Sequence, residues 1–190
     1  IGQSYEQSGA RGTLSFRPET VLAMVRDLVD ELERQGFTRL VICNGHGGNQ
    51  VLGTITRDLN RMNRPLRIVL INWYDYDRSP EGAALTKGEI HAGAWETSVM
   101  LALFPRCVRR PLPGPTTVRW PTALVSDFNH LGVRAFRSGG YWGDPRRASV
   151  AAGRVIVDSI LAHLVPAARE RLAWLDRVPR YAGTVRPRPK

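Results

Sequence analysis

The stretch LVICNGHGGNQ, residues 40–50, decides the fold class because an apolar run ends there in a glycine-rich turn. The run RLVICN, residues 39–44, is short and bounded by Gly-containing sequence, which predicts a buried strand that includes the Cys43 thiol. Three glycines and two asparagines then surround His46. Such a turn lets another molecule approach the backbone closely, because the glycines remove side chains on both sides of the imidazole.

Helices and strands alternate on both sides of this turn. Apolar residues recur at helical spacing from Pro18 to about Gly36, and again from about Asn49 to Pro65. The next apolar run, LRIVLINW (66–73), predicts a second strand. This order predicts an α/β fold with a mostly parallel sheet, in which the functional crevice lies beyond the carboxyl ends of the strands.

The rest of the chain is expected to complete one domain over residues 1–178, followed by a Pro/Arg-rich tail, 179–190. Residues 105–146 are rich in Pro, Gly and Arg, and a loop of that length in a compact domain usually borders a site. The remaining segments are a polar connection (74–92), a helix (93–104), and one or two closing helices interrupted at Pro166 (148–175).

Composition favours a cytoplasmic protein with a real core. The chain is 43% hydrophobic and has two cysteines, too few for a disulfide framework. No apolar run is long enough to cross a bilayer, and no secretory leader is visible, so no membrane partner is expected. Its net charge of +10 comes from scattered arginines, which are more typical of a solvated surface than of a nucleic-acid site.

Three interpretations compete for the glycine turn. A phosphate cradle requires GxGxxG or a Gly-Lys-Ser/Thr ending, and neither is present. His46 is otherwise either a capping residue bonded to local backbone or a metal ligand at the carboxyl end of a strand. Asn44 and Asn49 then hold the turn or orient the imidazole.

A second motif, HAGAWETS at residues 91–98, favours the metal interpretation. If a helix starts near Gly93, His91 lies just before it and Glu96 lies in its first turn, so both can face one pocket. The helix N-terminus stabilises an ionised carboxylate, which suits metal binding, and a His outside the coordination sphere suits proton transfer. The alternative is that Glu96 caps its own helix and His91 is a loop residue.

The two motifs together resemble the creatininase (creatinine amidohydrolase) family. NGHGGN (44–49) is followed by HAGAWETS, and the resemblance extends over nearly the whole chain. It includes GTLSFRPETVLAMVRDLVDELERQGFTRLVICNGHGGN (12–49) and SGGYWGDPRRASVAAGRVI (138–156).

The resemblance implies a three-layer α/β/α fold and hydrolysis of an amide or formamide C–N bond in a small molecule by metal-activated water. The implied cofactor is a divalent metal ion, zinc or else manganese or iron, with two ions in the complete protein. Homo-oligomers, hexamers among them, are implied as well. Carried over by position, His46 is a metal ligand, His91 transfers the proton, and Glu96 is a ligand or is bonded to the metal-bound water.

Five residues are predicted to border the substrate: Asn44, Gly47, Gly48, Asn49 and Trp73. Backbone N–H groups near Gly47 and Gly48 are candidates for stabilising an oxyanion. Trp73 follows a strand and either forms an aromatic wall or packs in the core, whereas Trp95 is expected to pack within its helix.

The chain departs from the family pattern in two places. The family's other metal ligands, a Glu, a His and an Asp on a Gly-Ser-Glu-x-His segment and its following loop, have no counterpart here, and His130 and His163 do not replace them. We therefore expect the protein to continue upstream of Ile1; the alternative is an inactive member that acts as a scaffold. Gly48 stands where creatininase proper has a Glu, which argues against creatinine as substrate.

Overall fold

The computed structural model describes residues 2–8, 10–116, 132 and 139–179, and its helices and parallel strands confirm the α/β class. These residues form two compact units. The first contains residues 2–3, 14–73 and 165–179, and the second contains 4–8, 10–13, 74–116, 132 and 139–164. Several predicted features lie outside the described residues: His130, residues 117–131 and 133–138 of the predicted excursion (105–146), and tail residues 180–190.

The first unit is built on two parallel strands, each preceded by a helix. In chain order these are α1 (Pro18–Arg34), β1 (Arg39–Asn44), α2 (Val51–Arg61) and β2 (Arg67–Asn72). Strand β1 pairs with β2 in parallel, so that Asn44 lies opposite Asn72 at the carboxyl ends. Pro18 begins α1, and Gly36 follows it with a positive φ of 85°. The predicted order of elements is confirmed.

Apolar side chains from α1, α2, β2 and the residue just before β2 form the core of this unit. The helical spacing read in the sequence turns one face of each helix inward, and Arg26 on α1 pairs with Asp58 on α2 at 2.7 Å beside that contact. The core residues are at most 8% exposed: Val21, Val25, Val29, Leu52, Ile55, Leu59, Leu66 and Ile68.

Strand β1 is less buried than its apolar sequence predicts. Of its six residues only Asn44 is buried, and the Cys43 thiol is exposed, so the prediction of a buried thiol is wrong. A continuous apolar run is typical of a strand covered on both faces. Among the described residues β1 pairs with β2 alone, and five of its six residues are exposed or half-buried, so its two faces are not both covered.

The second unit is mostly helical and contains one helix that the sequence reading missed. Helix α3 (Pro80–Thr86) lies within residues 74–92, which were predicted to be a polar connection. Ser79 caps it by accepting a hydrogen bond from the backbone N of Gly82 at 3.0 Å, and Pro80 occupies its first position. Helix α4 (Ala94–Leu103) follows within one residue of its predicted bounds.

Helix α5 (Val150–Leu175) runs continuously for 26 residues, so the predicted interruption at Pro166 is wrong. Proline removes one helical hydrogen bond, yet here the helical geometry continues on both sides of it. By length and apolar composition α5 is also the one helix of the described chain that could span a membrane, which corrects the expectation that no run is long enough. Helices of soluble proteins meet the same criterion, so this finding places the chain in no compartment.

Candidate active site

The His46 turn, defined here as residues 44–50, begins at the carboxyl end of β1. The buried Asn44 side chain accepts hydrogen bonds at its Oδ1 from the backbone N of His46 (3.2 Å) and from Nδ2 of Asn49 (3.0 Å). Its Nδ2 donates to Oδ1 of Asn72 at 3.0 Å. Asn44 therefore ties the turn to the neighbouring strand end, which favours the turn-holding alternative among those predicted for it.

His46 itself is half-buried beside open space. A Cβ built on Gly47 would meet no other group within 4 Å. Gly48 is half-buried in the same turn. An ion or a substrate could approach His46 through this space, as predicted. The ligand role of His46 and the binding roles of Gly47 and Gly48 stay predictions.

Trp73 lies against the same turn. A Cβ built on Gly45 would be 3.7 Å from the indole Nε1 of Trp73. Oδ1 of Asn49 accepts a hydrogen bond from the backbone N of Gln3 at 2.7 Å. Asn49 is thus bonded to Gln3 outside the turn and to Asn44 within it. Trp73 is half-buried, and its substrate-facing role stays a prediction.

The His91 turn, defined here as residues 89–93, precedes α4 and is anchored by a short antiparallel bridge to Trp142. The backbone N of Trp142 donates to the His91 carbonyl at 2.6 Å, and the His91 N donates back to the Trp142 carbonyl at 3.2 Å. The next residue, Ala92, has a φ of 51°, a left-handed conformation unusual for a residue with a side chain. Gly93 is the N-cap of α4.

Glu96 lies in the first turn of α4, as predicted, and its carboxylate accepts a hydrogen bond from the backbone N of Ala92. The donor, Ala92, precedes the N-cap Gly93, so this bond holds the turn before α4, and the ligand role of Glu96 stays a prediction. The Glu96 residue is nevertheless exposed, at the N-terminal end of α4.

Glu89 contributes to this turn and was missed by sequence reasoning. Its side chain is only 7% exposed. Its Oε2 accepts a hydrogen bond from the backbone N of Ala94 at 2.5 Å, and its Oε1 accepts one from the backbone N of Asp144 at 2.9 Å. The Arg147 guanidinium lies 3.8 Å from Oε1. Because Glu89 stands five residues before Ala94, outside the spacing of a capping box, no local pattern identifies it.

Asp77 was also missed, and it fixes the buried Trp95 next to Glu96. Its Oδ2 accepts a hydrogen bond from Nε1 of Trp95 at 2.8 Å, and its Oδ1 accepts from the Ser79 hydroxyl at 2.7 Å. Burial alone would raise the pKa of Asp77, but the hydrogen bonds from Trp95 and Ser79 outweigh it, so that the pKa lies below its ordinary value. Trp95 is 8% exposed, which confirms its predicted packing role.

The described residues do not by themselves fit the metal centre that the resemblance implies. None of them form a group of three or more His, Cys, Asp or Glu side chains arranged to hold an ion, whereas a catalytic zinc normally has three protein ligands. His46 belongs to the first unit and Glu96 to the second, so their sharing of one ion stays a prediction. His163 is exposed on α5, with Nδ1 2.6 Å from the Ser159 carbonyl, and contributes nothing to either turn.

Comparison with a family model shows which family the chain belongs to. The family model named Creatininase, creatinine amidohydrolase, matches residues 1–168, a range that includes both turns. The chain belongs to the creatininase family. It is 34% identical over 113 residues to a creatinine amidohydrolase of Pseudomonas putida, a match that covers 51% of this chain and 42% of that protein.

A second relative matches almost the whole chain. The mycofactocin precursor peptide peptidase of Mycobacterium tuberculosis is 33% identical over 186 residues, which is 93% of this chain and 64% of that protein. The chain therefore spans less than two thirds of the length of either relative.

Solved structures agree with the family and with the creatininase-like fold. A Bacteroides fragilis protein assigned as a creatinine amidohydrolase superposes with a TM-score of 0.71 at 25% identity, covering 95% of this chain and 71% of that one. A creatininase mutant in a Zn–Zn form gives a TM-score of 0.66 at 25% identity, covering 90% and 72%.

Proposed function

We propose that this protein is a hydrolase that cleaves the C–N bond of an amide or formamide in a small molecule. The His91 turn carries the proposal. It places the His91 imidazole two residues before the N-cap of α4. The His91 carbonyl accepts a hydrogen bond from the backbone N of Trp142 at 2.6 Å, and Glu96 lies in the first turn of the helix that follows. Family membership supports the same reaction class.

His91 is the proposed proton-transfer residue. Hydrolysis of an amide requires that the leaving nitrogen take up a proton, since an amide anion is a poor leaving group. An imidazole can carry that proton near neutral pH, and a positioned general acid contributes about 10²–10⁴-fold to the rate. Glu96, exposed and negatively charged, is proposed to accept a hydrogen bond from the attacking water.

For the divalent metal ion we propose only which residues bind it. His46 and Glu96 are the proposed ligands of this chain, and the structural relative in a Zn–Zn form favours zinc. Since the described residues do not form a three-donor group, no step of the reaction is assigned to the ion. Metal analysis of His46→Ala and Glu96→Gln, each expected to lower the bound metal, tests the two assignments.

Turnover of a defined panel tests the reaction class. The purified protein is incubated with creatinine, with N-formyl amines and with short peptides, and the released amine is identified by mass spectrometry. His91→Ala is expected to abolish turnover and to leave the metal content unchanged. His163→Ala, which removes an exposed imidazole on α5, is the matched control and should retain full activity. Turnover by His91→Ala, or its loss of metal, contradicts the assigned role.

Peptide hydrolysis is the second candidate, because the mycobacterial relative named as a peptidase matches 93% of this chain. The same panel separates the two substrate classes. A wild-type protein that turns over none of the compounds would favour the scaffold alternative. A cytoplasmic location stays a prediction of the composition, and a homo-oligomer stays a prediction of the resemblance.

A further inference from the structure

We infer that Glu89 is a positioning residue for His91: its buried carboxylate fixes the segment that pairs with His91 to the start of α4. The inference rests on the proposed function for the role of His91 and goes beyond it in naming what holds that residue. Glu89 itself touches no reacting group in this assignment and acts through the backbone on either side of His91.

The two carboxylate oxygens bind two separate pieces of backbone. Oε2 accepts from the N–H of Ala94, the first residue of α4, at 2.5 Å. Oε1 accepts from the N–H of Asp144 at 2.9 Å. Asp144 lies two residues after Trp142, whose backbone N donates to the His91 carbonyl. One side chain therefore links both structures that determine where His91 lies.

Two glycines make room for this carboxylate. A Cβ on Gly93 would overlap Oε2 of Glu89, and a Cβ on Gly143 would lie 2.9 Å from its Cδ. Both glycines are buried, and a Cβ on Gly143 would also lie 2.7 Å from the Cα of Gly93. The segments at 93 and 143 can thus close around Glu89 only because neither carries a side chain.

The Glu89 carboxylate also lies beside positive groups, and its two acceptor oxygens set it apart from an amide. The carboxylate lies at the N-terminal end of α4, where the helix dipole stabilises an anion, and 3.8 Å from the guanidinium of Arg147. A carboxylate offers two acceptor oxygens, whereas an amide offers one acceptor and one donor group. Glu89→Gln keeps the size of the side chain but sets an NH₂ group against one of the two backbone N–H groups, which should release one segment.

A spectroscopic experiment on the full protein isolates positioning from stability. The chain has four histidines, so the imidazole C–H signals are few, and the His91 signal is identified by its loss in His91→Gln. We expect Glu89→Gln to shift or broaden the His91 signal and to leave those of His46 and His163 unchanged. We also expect kcat to fall about 10²-fold on a turned-over panel compound with KM unchanged, since the displaced group acts in the transition state.

Glu33→Gln is the matched control. Glu33 also binds a backbone N–H, that of Leu66 at 3.0 Å, and an arginine, Arg64, but it lies in the first unit. The Glu33→Gln substitution should lower the thermal midpoint without moving the His91 signal or changing kcat. A Glu89→Gln protein that is only less stable, with both readouts unchanged, overturns the inference.

Two further arms keep the outcomes distinct. If Glu89→Gln does not fold, Glu89→Asp retains the charge but is one methylene too short to reach both N–H groups, and an unmoved His91 signal in that folded variant overturns the inference equally. If the wild type turns over no panel compound, the proposed function fails, while the His91 signal still decides whether Glu89 positions the imidazole.

Discussion

The His46 turn and the His91 turn both place an imidazole among glycines just before a helix, but different groups hold them. Neutral amides hold the first, because Asn44 bonds to the backbone of His46, to Asn49 and to Asn72. Carboxylates hold the second, because Glu89 and Glu96 accept hydrogen bonds from backbone N–H groups around His91.

The difference shows how far each turn depends on distant parts of the chain. Asn44 lies two residues from His46 and bonds to Asn72 across paired strand ends, so its three bonds are all made within the turn and the two adjacent strand ends. The His91 turn needs Trp142 and Asp144, about fifty residues further along the chain. Its geometry should therefore be more sensitive to changes in the second unit, and the following variants test that.

The largest effect is expected from Gly153→Ala, which disturbs the second unit alone. A Cβ on Gly153 of α5 would overlap the Ser98 carbonyl oxygen of α4. Because that oxygen belongs to the backbone, the helices must separate, and we expect a loss of about 3 kcal/mol or more in the free energy of unfolding. Hydrogen exchange should accelerate in residues 94–103 and not in residues 39–50.

Gly53→Ala is the matched control for this substitution. Gly53 also lies inside a helix, α2, but a Cβ there meets nothing within 4 Å. Alanine is the better helix former by about 1 kcal/mol, so this change should stabilise the protein. Equal effects of the two substitutions would show that α4 and α5 are not in close backbone contact.

Asn44→Ala is expected to have the next largest effect, confined to the His46 turn. It removes three hydrogen bonds at a site only 5% exposed, and the expected cost is about 2 kcal/mol in a urea unfolding experiment. The exchange rate of the His46 amide proton should rise. Gln50→Ala, an exposed change in the same turn, should alter neither quantity, and protection of the His46 amide in Asn44→Ala would contradict the network.

A smaller, pH-dependent effect is expected at Asp77 beside the His91 turn. After the opposing effect of burial, hydrogen bonds from Trp95 and Ser79 leave its pKa below the ordinary value. The contribution of the ionised Asp77 to the free energy of unfolding is therefore complete above its unfolded pKa of about 3.9 and is lost as the pH falls through the folded pKa. The free energies of unfolding of wild type and Asp77→Asn, from thermal unfolding, should differ by about 1 kcal/mol at pH 5 and converge in stronger acid.

Asp158→Asn provides the control for that titration. Asp158 is exposed on α5, so its replacement should leave the acid dependence of the wild type unchanged. Parallel stability curves of wild type and Asp77→Asn throughout the acid range would show that the Trp95 and Ser79 hydrogen bonds contribute nothing through the charge of Asp77.

Sequence patterns predicted the parts of this molecule that depend on neighbours along the chain. Helical spacing gave α1 and α2, and the apolar runs gave β1 and β2 within one residue of their bounds. The burial of Cys43 was mispredicted because an apolar run does not specify which elements pack on each face of the strand. Glu89 could not be found because its partner Asp144 lies 55 residues away, and no local spacing relates them.

The smallest effect is expected from Ala92→Gly, which tests whether the backbone of the His91 turn is strained where that of the His46 turn is not. Ala92 has a φ of 51°, whereas none of residues 44–50 has a positive φ. Left-handed geometry costs a residue with a Cβ about 1–2 kcal/mol, and the greater unfolded-state freedom of glycine cancels about half of that, so Ala92→Gly should stabilise the protein by about 0.5 kcal/mol. Asn63→Gly, at a φ of 56° in the first unit, is the control, and since asparagine tolerates this geometry its gain should be near zero. Equal gains at both positions in matched urea titrations would mean that the His91 turn is no more strained than an ordinary helix end, and its conformation would then need no help from Trp142 and Glu89.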